Sequence, residues 1–355
     1  MNNTKLISSI IAVSFLISGC TASIIADSEP EDSSVVMTSS KETTYIEITS
    51  PASKASTSSL VFNPHVYSPT LAEEIPQDYW DSFYNMCDAL RIGETTFKCS
   101  SEDAYGFCML TSTTASLFPA ACLKISGESN DGTKPYENGV GRIYYQMPVE
   151  EFVQRQADFE ALITDILRNT LEDDDTDFEK CLKLYLYIAE NYDYDDSMEF
   201  DGDAAFYRTF ITKKGMCVDF GAVYGYLLLQ VGIDALDVGC FEPDMCHAWT
   251  YVVLNGKGYH VDTTWALSSC YGMQEVYLDY FLMSDEDRNE DGCLVKDLTM
   301  QALPQFYLSN SSIKLSAADE TYSFPDFSTF VALDEENKIL YYKDMYGEIY
   351  EMRYE

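Results

Sequence analysis

The chain has 355 residues, 46% hydrophobic and 14% aromatic, enough apolar material for one large domain with extensions or for two domains. Lys and Arg number 22 against 59 Asp and Glu, a formal net charge of −37. Such a surface repels nucleic acid and anionic lipid headgroups, so neither is expected as a direct partner.

Residues 1–20 read as a targeting segment rather than as fold. Lys5 supplies a positive start, and residues 6–17 form an apolar run too short to span a bilayer as a helix. Ile17-Ser18-Gly19-Cys20 follows. Small residues directly before a Cys, after such a run, resemble a bacterial lipoprotein cleavage box. The resemblance implies cleavage before Cys20, lipid on its sulfur, and a protein held at the outer face of a bacterial cell membrane through that anchor only. Residues 21–70 are rich in Ser, Thr and acid and poor in aromatics. They cannot bury enough apolar surface to offset their chain entropy, so the composition predicts a flexible tether.

From residue 71 the pattern changes. Tyr79, Trp80, Phe83, Tyr84, Cys87 and Leu90 fall at helical spacing. Residues 106–110 and 121–125 read as short strands, 126–136 as turns, and 143–146 as another strand. Residues 71–147 are thus a small α+β lead-in domain. Pro148 suits the first turn of a helix whose apolar stripe is Phe152, Phe159, Ile163 and Ile166. A second helix near Asp177 carries Phe178, Cys181, Leu182, Tyr185, Ile188 and Tyr192 on one face.

The chemistry lies in residues 215–265. Gly215 permits a sharp turn, residues 218–230 read as a helix, and Gly232 supplies its stop. Cys217 therefore sits at a helix N-terminus, where free N–H groups and the macrodipole favour a thiolate, the nucleophilic form. Residues 235–240 and 247–254 read as strands. Asn255-Gly256 is a strong hairpin signal, and residues 258–262 return as the next strand. A two-residue turn pairs Leu254 with Lys257 and sets Asp262 one diagonal step from His247 on the same face. In that register His260 pairs with Tyr251, roughly 13 Å along the strand from His247 at about 3.3 Å per residue. Cys217 as nucleophile, His247 as base and acid, and Asp262 as orienter of the imidazole make a coherent set.

Gly215-Met216-Cys217, His247-Ala248-Trp249 and Val261-Asp262-Thr263-Thr264-Trp265 together resemble the transglutaminase-like superfamily. Tyr207 looks like the aromatic found upstream of the Cys in bacterial members. The resemblance covers about residues 150–285. It implies an α+β, papain-like core, with the Cys at a helix N-terminus packed on an antiparallel sheet carrying the His and Asp. It also implies Cys217, His247 and Asp262 as a catalytic triad acting on amide bonds of a peptide or protein substrate, with no cofactor. Asp219-Phe220-Gly221 departs from the Gly-Tyr-Ala common after the Cys, and Thr263 replaces a frequent Pro. A carboxylate at Asp219 facing the sulfur would raise the thiol pKa and oppose activation.

On this reading residues 148–316 are the transglutaminase-like domain and residues 317–355 a β-meander tail. An oxyanion would meet the Cys217 N–H and one side-chain donor, with Tyr192, Tyr194 and Tyr207 as candidates. Cys240 and Cys246 flank a short loop, a spacing that allows a local disulfide in an exported protein. Asp287, Asn289, Asp291 and Gly292 have the spacing of half a calcium loop, but Leu298 stands where the loop needs Glu, which favours a solvated acidic turn. A catalytically inactive binding module with the same fold is the competing functional class.

Overall fold

The computed structural model describes residues 58–129, 132–195, 197, 202–242, 245–267, 275–292, 299–300, 313 and 315–355. These belong to one compact unit, Ala55–Glu355. Cys20 and the first part of the expected tether lie outside the described residues.

The fold is α+β, with several small antiparallel sheets and a β-rich C-terminal segment. Helices α1 (Pro69–Ala72), α2 (Gln77–Arg91), α3 (Glu102–Met109) and α4 (Thr111–Leu117) lead into α5 (Val149–Thr170) and α6 (Asp177–Asn191). The short strands β1 (Thr96–Lys98), β2 (Ile125–Ser126), β3 (Tyr136–Glu137), β4 (Val140–Arg142) and β5 (Tyr144–Tyr145) lie between them. Residues 106–110, expected as a strand, are helical through Met109, with Leu110 as an extended C-cap. Ser101 caps α3 by accepting from the Ala104 N–H, and Glu102 and Asp103 complement the positive end of its dipole. Residues 121–125 end a 3-10 turn, Pro119–Ala121, and reach the extended conformation only at β2.

The tether reading also stops earlier than composition predicted. Phe62, Val66 and Ser68 are buried, and Ser68 and Thr70 both donate to the Asp234 carboxylate. A few apolar residues and one distant carboxylate order a segment whose average composition reads as disordered.

Strand β6 (Asp193–Tyr194) pairs in parallel with β7 (Lys214–Gly215), Tyr194 opposite Gly215. Helix α7 (Ala205–Thr212) lies between them in sequence, and β7 runs directly into α8 (Cys217–Gln230). Gly232, at φ +81°, ends that helix. Then β8 (Asp234–Glu242), β9 (Met245–Leu254) and β10 (Lys257–Val261) form an antiparallel sheet, with β11 (Thr299–Met300) on the other edge of β8. The hairpin pairs Leu254 with Lys257 and Tyr251 with His260, as the Asn-Gly turn requires; Asn255 and Gly256 adopt φ +53° and +75°. Helix α9 (Asp285–Glu290) follows. Strands β12 (Thr329–Asp334), β13 (Ile339–Lys343) and β14 (Ile349–Arg353) make the expected meander. The tail docks on α6 through the Phe178–Tyr354 stack at 4.4 Å and through Glu179, which accepts from Lys338 and Tyr354.

Two glycines decide how closely α8 approaches the sheet. A Cβ at Gly221 would lie 2.9 Å from the Trp249 carbonyl oxygen and 3.1 Å from Asp237 Oδ1, whereas one at Gly225 would meet Thr250 at an ordinary 3.5 Å. The close approach lets Thr250 Oγ1 donate to the Gly221 carbonyl at 2.8 Å. Gly221→Ala is therefore expected to cost about 1–3 kcal/mol of overpacking. Gly225→Ala should be neutral or stabilising by up to ~1 kcal/mol through helix propensity. Urea unfolding of both variants checks this, and equal losses would contradict the packing account.

Candidate functional site

Strand β9 carries His247, and Asp262 is the first residue past β10. His247 Nε2 and Asp262 Oδ2 are 2.6 Å apart. The other oxygen, Oδ1, accepts the backbone N–H groups of Thr264 and Trp265 at 3.0 and 3.1 Å. Buried Arg288, on α9, completes the set, its Nη2 3.0 Å from Asp262 Oδ2. A carboxylate has about four lone-pair sites, and all four are used here. Burial alone would raise the Asp262 pKa, but His247, Arg288 and the hydrogen bonds outweigh it and hold the carboxyl below its ordinary range.

The imidazole is nearly buried, at 6% exposure. Trp265 stacks on it, with ring centroids 4.6 Å apart and 13° between planes. Because Asp262 occupies Nε2, Nδ1 is the ring nitrogen that remains to serve a thiol.

Cys217 is the first residue of α8. Its thiol is pushed up to about 12, chiefly by burial and further by the Asp262 and Cys246 charges, while hydrogen bonding from the Ala248 and Val218 backbone pulls the other way. The helix N-terminus was expected to favour a thiolate. Here desolvation outweighs the helix N-terminus and favours the neutral form of the thiol. Its contact with the backbone of Ala248 sets it beside the residue next to His247.

The Asp219 carboxylate is engaged at the start of its own helix. It turns back to accept the Met216 N–H at 2.9 Å, capping the helix that Cys217 begins. Burial pushes its carboxyl up to about 6. Nearby Asp237, on β8, is fully enclosed, and burial followed by the Asp219 charge pushes it well above the carboxylate range.

His260 is fully buried and committed elsewhere. It accepts from Trp249 Nε1 at 2.9 Å through Nδ1, so its proton sits on Nε2, 3.0 Å from Asp285 Oδ1. Of the tyrosines, Tyr192 and Tyr194 pack around Phe220, one turn along from Cys217. Tyr207 is occupied under Arg155, whose guanidinium carbon is 3.4 Å from its ring centroid.

No disulfide joins Cys240 to Cys246. Cys240 pairs with His247 and Cys246 with Phe241, so the two side chains leave opposite faces of the sheet. The half calcium loop is corrected: Asp287 and Asn289 lie on α9 rather than on a loop. Asp287 accepts from Ser284 and Ser323, and Asp291 pairs with Arg288 at 3.2 Å. Leu298 lies outside the described residues.

Arg288 escaped the sequence reading. Its only signal is a cation inside a run of acids, Asp285-Glu286-Asp287-Arg288-Asn289-Glu290-Asp291, which reads as a solvated face.

Residues 164–263 match the family model of the transglutaminase-like superfamily. The chain carries a transglutaminase-like domain. The matched stretch includes Cys217, His247 and Asp262 and ends before Trp265 and Arg288. No curated protein matches the chain. A solved structure of a candidate cysteine protease from Cytophaga hutchinsonii is similar at 16% identity, over 39% of this chain and 39% of that one, with a TM-score of 0.24. The likeness thus spans about two fifths of either chain.

The Asp219 carboxyl has a folded-state pKa above its unfolded value. Its stabilising contribution is therefore present below about pH 4 and is lost as pH rises through about 6. Asp219→Asn, which keeps an acceptor for the Met216 N–H, should gain stability over the wild type with rising pH. The expected gain is of the order of 1–3 kcal/mol between about pH 4.5 and 7.5. Urea unfolding at the two pH values measures it, and a pH-independent difference would sink this account.

Proposed function

We propose that the protein is a thiol enzyme acting on amide bonds of peptides or proteins, with Cys217, His247 and Asp262 as its triad. The support is the Asp262 bond to Nε2 of a nearly buried imidazole, one residue from the backbone that meets the Cys217 sulfur. Burial favours the neutral thiol, and His247 Nδ1 takes its proton as the sulfur attacks the carbonyl carbon. The oxyanion meets the Cys217 N–H and a second donor from the Tyr192–Tyr194 side. The carbon–nitrogen bond then breaks, His247 returns the proton to the leaving nitrogen, and an acyl-thioester remains. Water attacks the thioester with His247 again as base, releasing the acid and restoring the thiol. An amine in place of water gives cross-linking, and hydrolysis is the favoured course by analogy with bacterial relatives.

The test uses dimethylated casein with a fluorescent primary amine, read for amine incorporation, ammonia release and new N-termini. Cys217→Ala and His247→Ala should abolish every product, and Asp262→Asn should slow them by about tenfold or more. Turnover that survives Cys217→Ala overturns the proposal. One feature favours the second reading, a catalytically inactive binding module: the burial that pushes the Cys217 thiol up. In that case Cys217 alkylates no more readily than an ordinary thiol, only at or above about pH 8.5, and His247→Ala does not slow it.

The same proposal extends to location, an exported chain held at the outer membrane face by lipid on Cys20. Full-length protein made in a bacterial host should fractionate with membranes, and Cys20→Ala should release it. Unchanged fractionation and an unchanged N-terminal peptide mass would remove the anchor.

A further inference from the structure

Arg288 has no exposed surface, yet it is a cation. Its guanidinium carbon lies 4.4 Å from the Trp249 ring centroid and 4.4 Å from that of Trp265. One arm reaches Asp262 at 3.0 Å and the other reaches Asp291 at 3.2 Å. The two indoles are themselves fixed. Trp249 donates to His260, which is held by Asp285, and Trp265 stacks on His247. The guanidinium is thus wedged between the two aromatic planes that flank the imidazole, with one arm of its fork on the carboxylate the imidazole uses and the other on Asp291.

Core packing alone does not account for such a group. Apolar residues of similar volume usually serve stability as well as or better than a buried ion pair. The arrangement has a specific electrostatic consequence instead. A lone buried carboxylate attracts a proton strongly onto its imidazole. A carboxylate already paired with a guanidinium attracts it much less and behaves more like a neutral acceptor.

We propose that Arg288 is a positioning residue for the His247–Asp262 pair: it fixes the carboxylate against His247 Nε2 and, by balancing its charge, keeps the imidazole free to accept a proton from Cys217. The role of the imidazole as base rests on the function proposed above; the geometry and the charge balance do not. Among the described residues, the charged and titratable groups around His247 include Cys217 on α8, Cys246 on its own strand, Asp262 beyond β10, and Arg288 with Asp291 at α9. His260 and Asp285 stand behind Trp249, and Asp287 and Asp326 act on Asp291.

The chain contains only three His, so ring-proton NMR can follow each. In Arg288→Gln the pH midpoint of the His247 ring signal should rise by about one unit, because the Asp262 charge is no longer shared. In Arg288→Lys, which keeps the charge but loses the fork, it should move by less. The His65 signal should stay in place. A His247 midpoint that stays within about 0.3 units in Arg288→Gln, below the size of a one-charge effect, overturns the proposal whatever happens to stability.

If Arg288→Gln fails to fold, the double variant Asp262→Asn/Arg288→Gln decides. Removing both charges should restore unfolding behaviour to near that of Asp262→Asn alone. A double variant no better than Arg288→Gln overturns the proposal. None of these measurements needs turnover. A shifted midpoint without enzymatic activity would therefore leave this inference standing while the proposed function falls, and activity with an unshifted midpoint would do the reverse.

Discussion

A carboxylate with no exposed surface, at the end of a short strand, is the constraint around which the centre of this molecule is built. An ion as buried as Asp262 is tolerable only with its lone pairs filled and its charge answered. Its partners come from separate places: His247 from the neighbouring strand, two backbone N–H groups from the turn that follows, and Arg288 from a helix more than twenty residues on. Each must be in position at once. The hairpin register supplies the first, the tight turn the second, and α9 closes the shell. Trp249 and Trp265 are held in the same act, because they face both the cation and the imidazole.

The Cys217 thiol is governed by a different balance. A helix N-terminus stabilises negative charge by amounts that are modest and fall off within a turn. Burial of a sulfur acts against the charged form and can be larger. At Cys217 burial dominates, aided by the Asp262 charge. In the proposed function, chemistry at this thiol needs its proton moved to a neighbouring base, which would tie it to the imidazole and so to the Asp262 shell. Asp219 completes the local arrangement by capping the helix.

Much of this geometry was legible in the residues. The Asn255-Gly256 turn and the alternation of β9 dictate a register, and that register alone brings His247 and Asp262 to one end of one face. Gly232 and Pro148 mark helix boundaries through backbone conformations that other residues adopt less readily. Local pattern misled where two propensities compete over a few residues. The apolar run at 106–110 reads as a strand until the Ser101 cap and its acidic first turn are weighed. The acidic spacing after Ser284 reads as half a cation loop, yet Ser284 and Asp287 cap each other and make it a helix.

What the sequence determined by itself is local and periodic: a thiol at a helix start, a hairpin whose pairing is set by its turn, and an imidazole and carboxylate within one diagonal of each other. These follow from backbone conformation and from side-chain periods of 3.6 and 2, which act over a few residues. The burial that pushes the Cys217 thiol up and the place of Arg288 were decided by the tertiary structure alone. Both depend on which groups lose contact with water, and on charges brought together from distant parts of the chain. Desolvation is a property of the packed whole, and no spacing along the sequence encodes it.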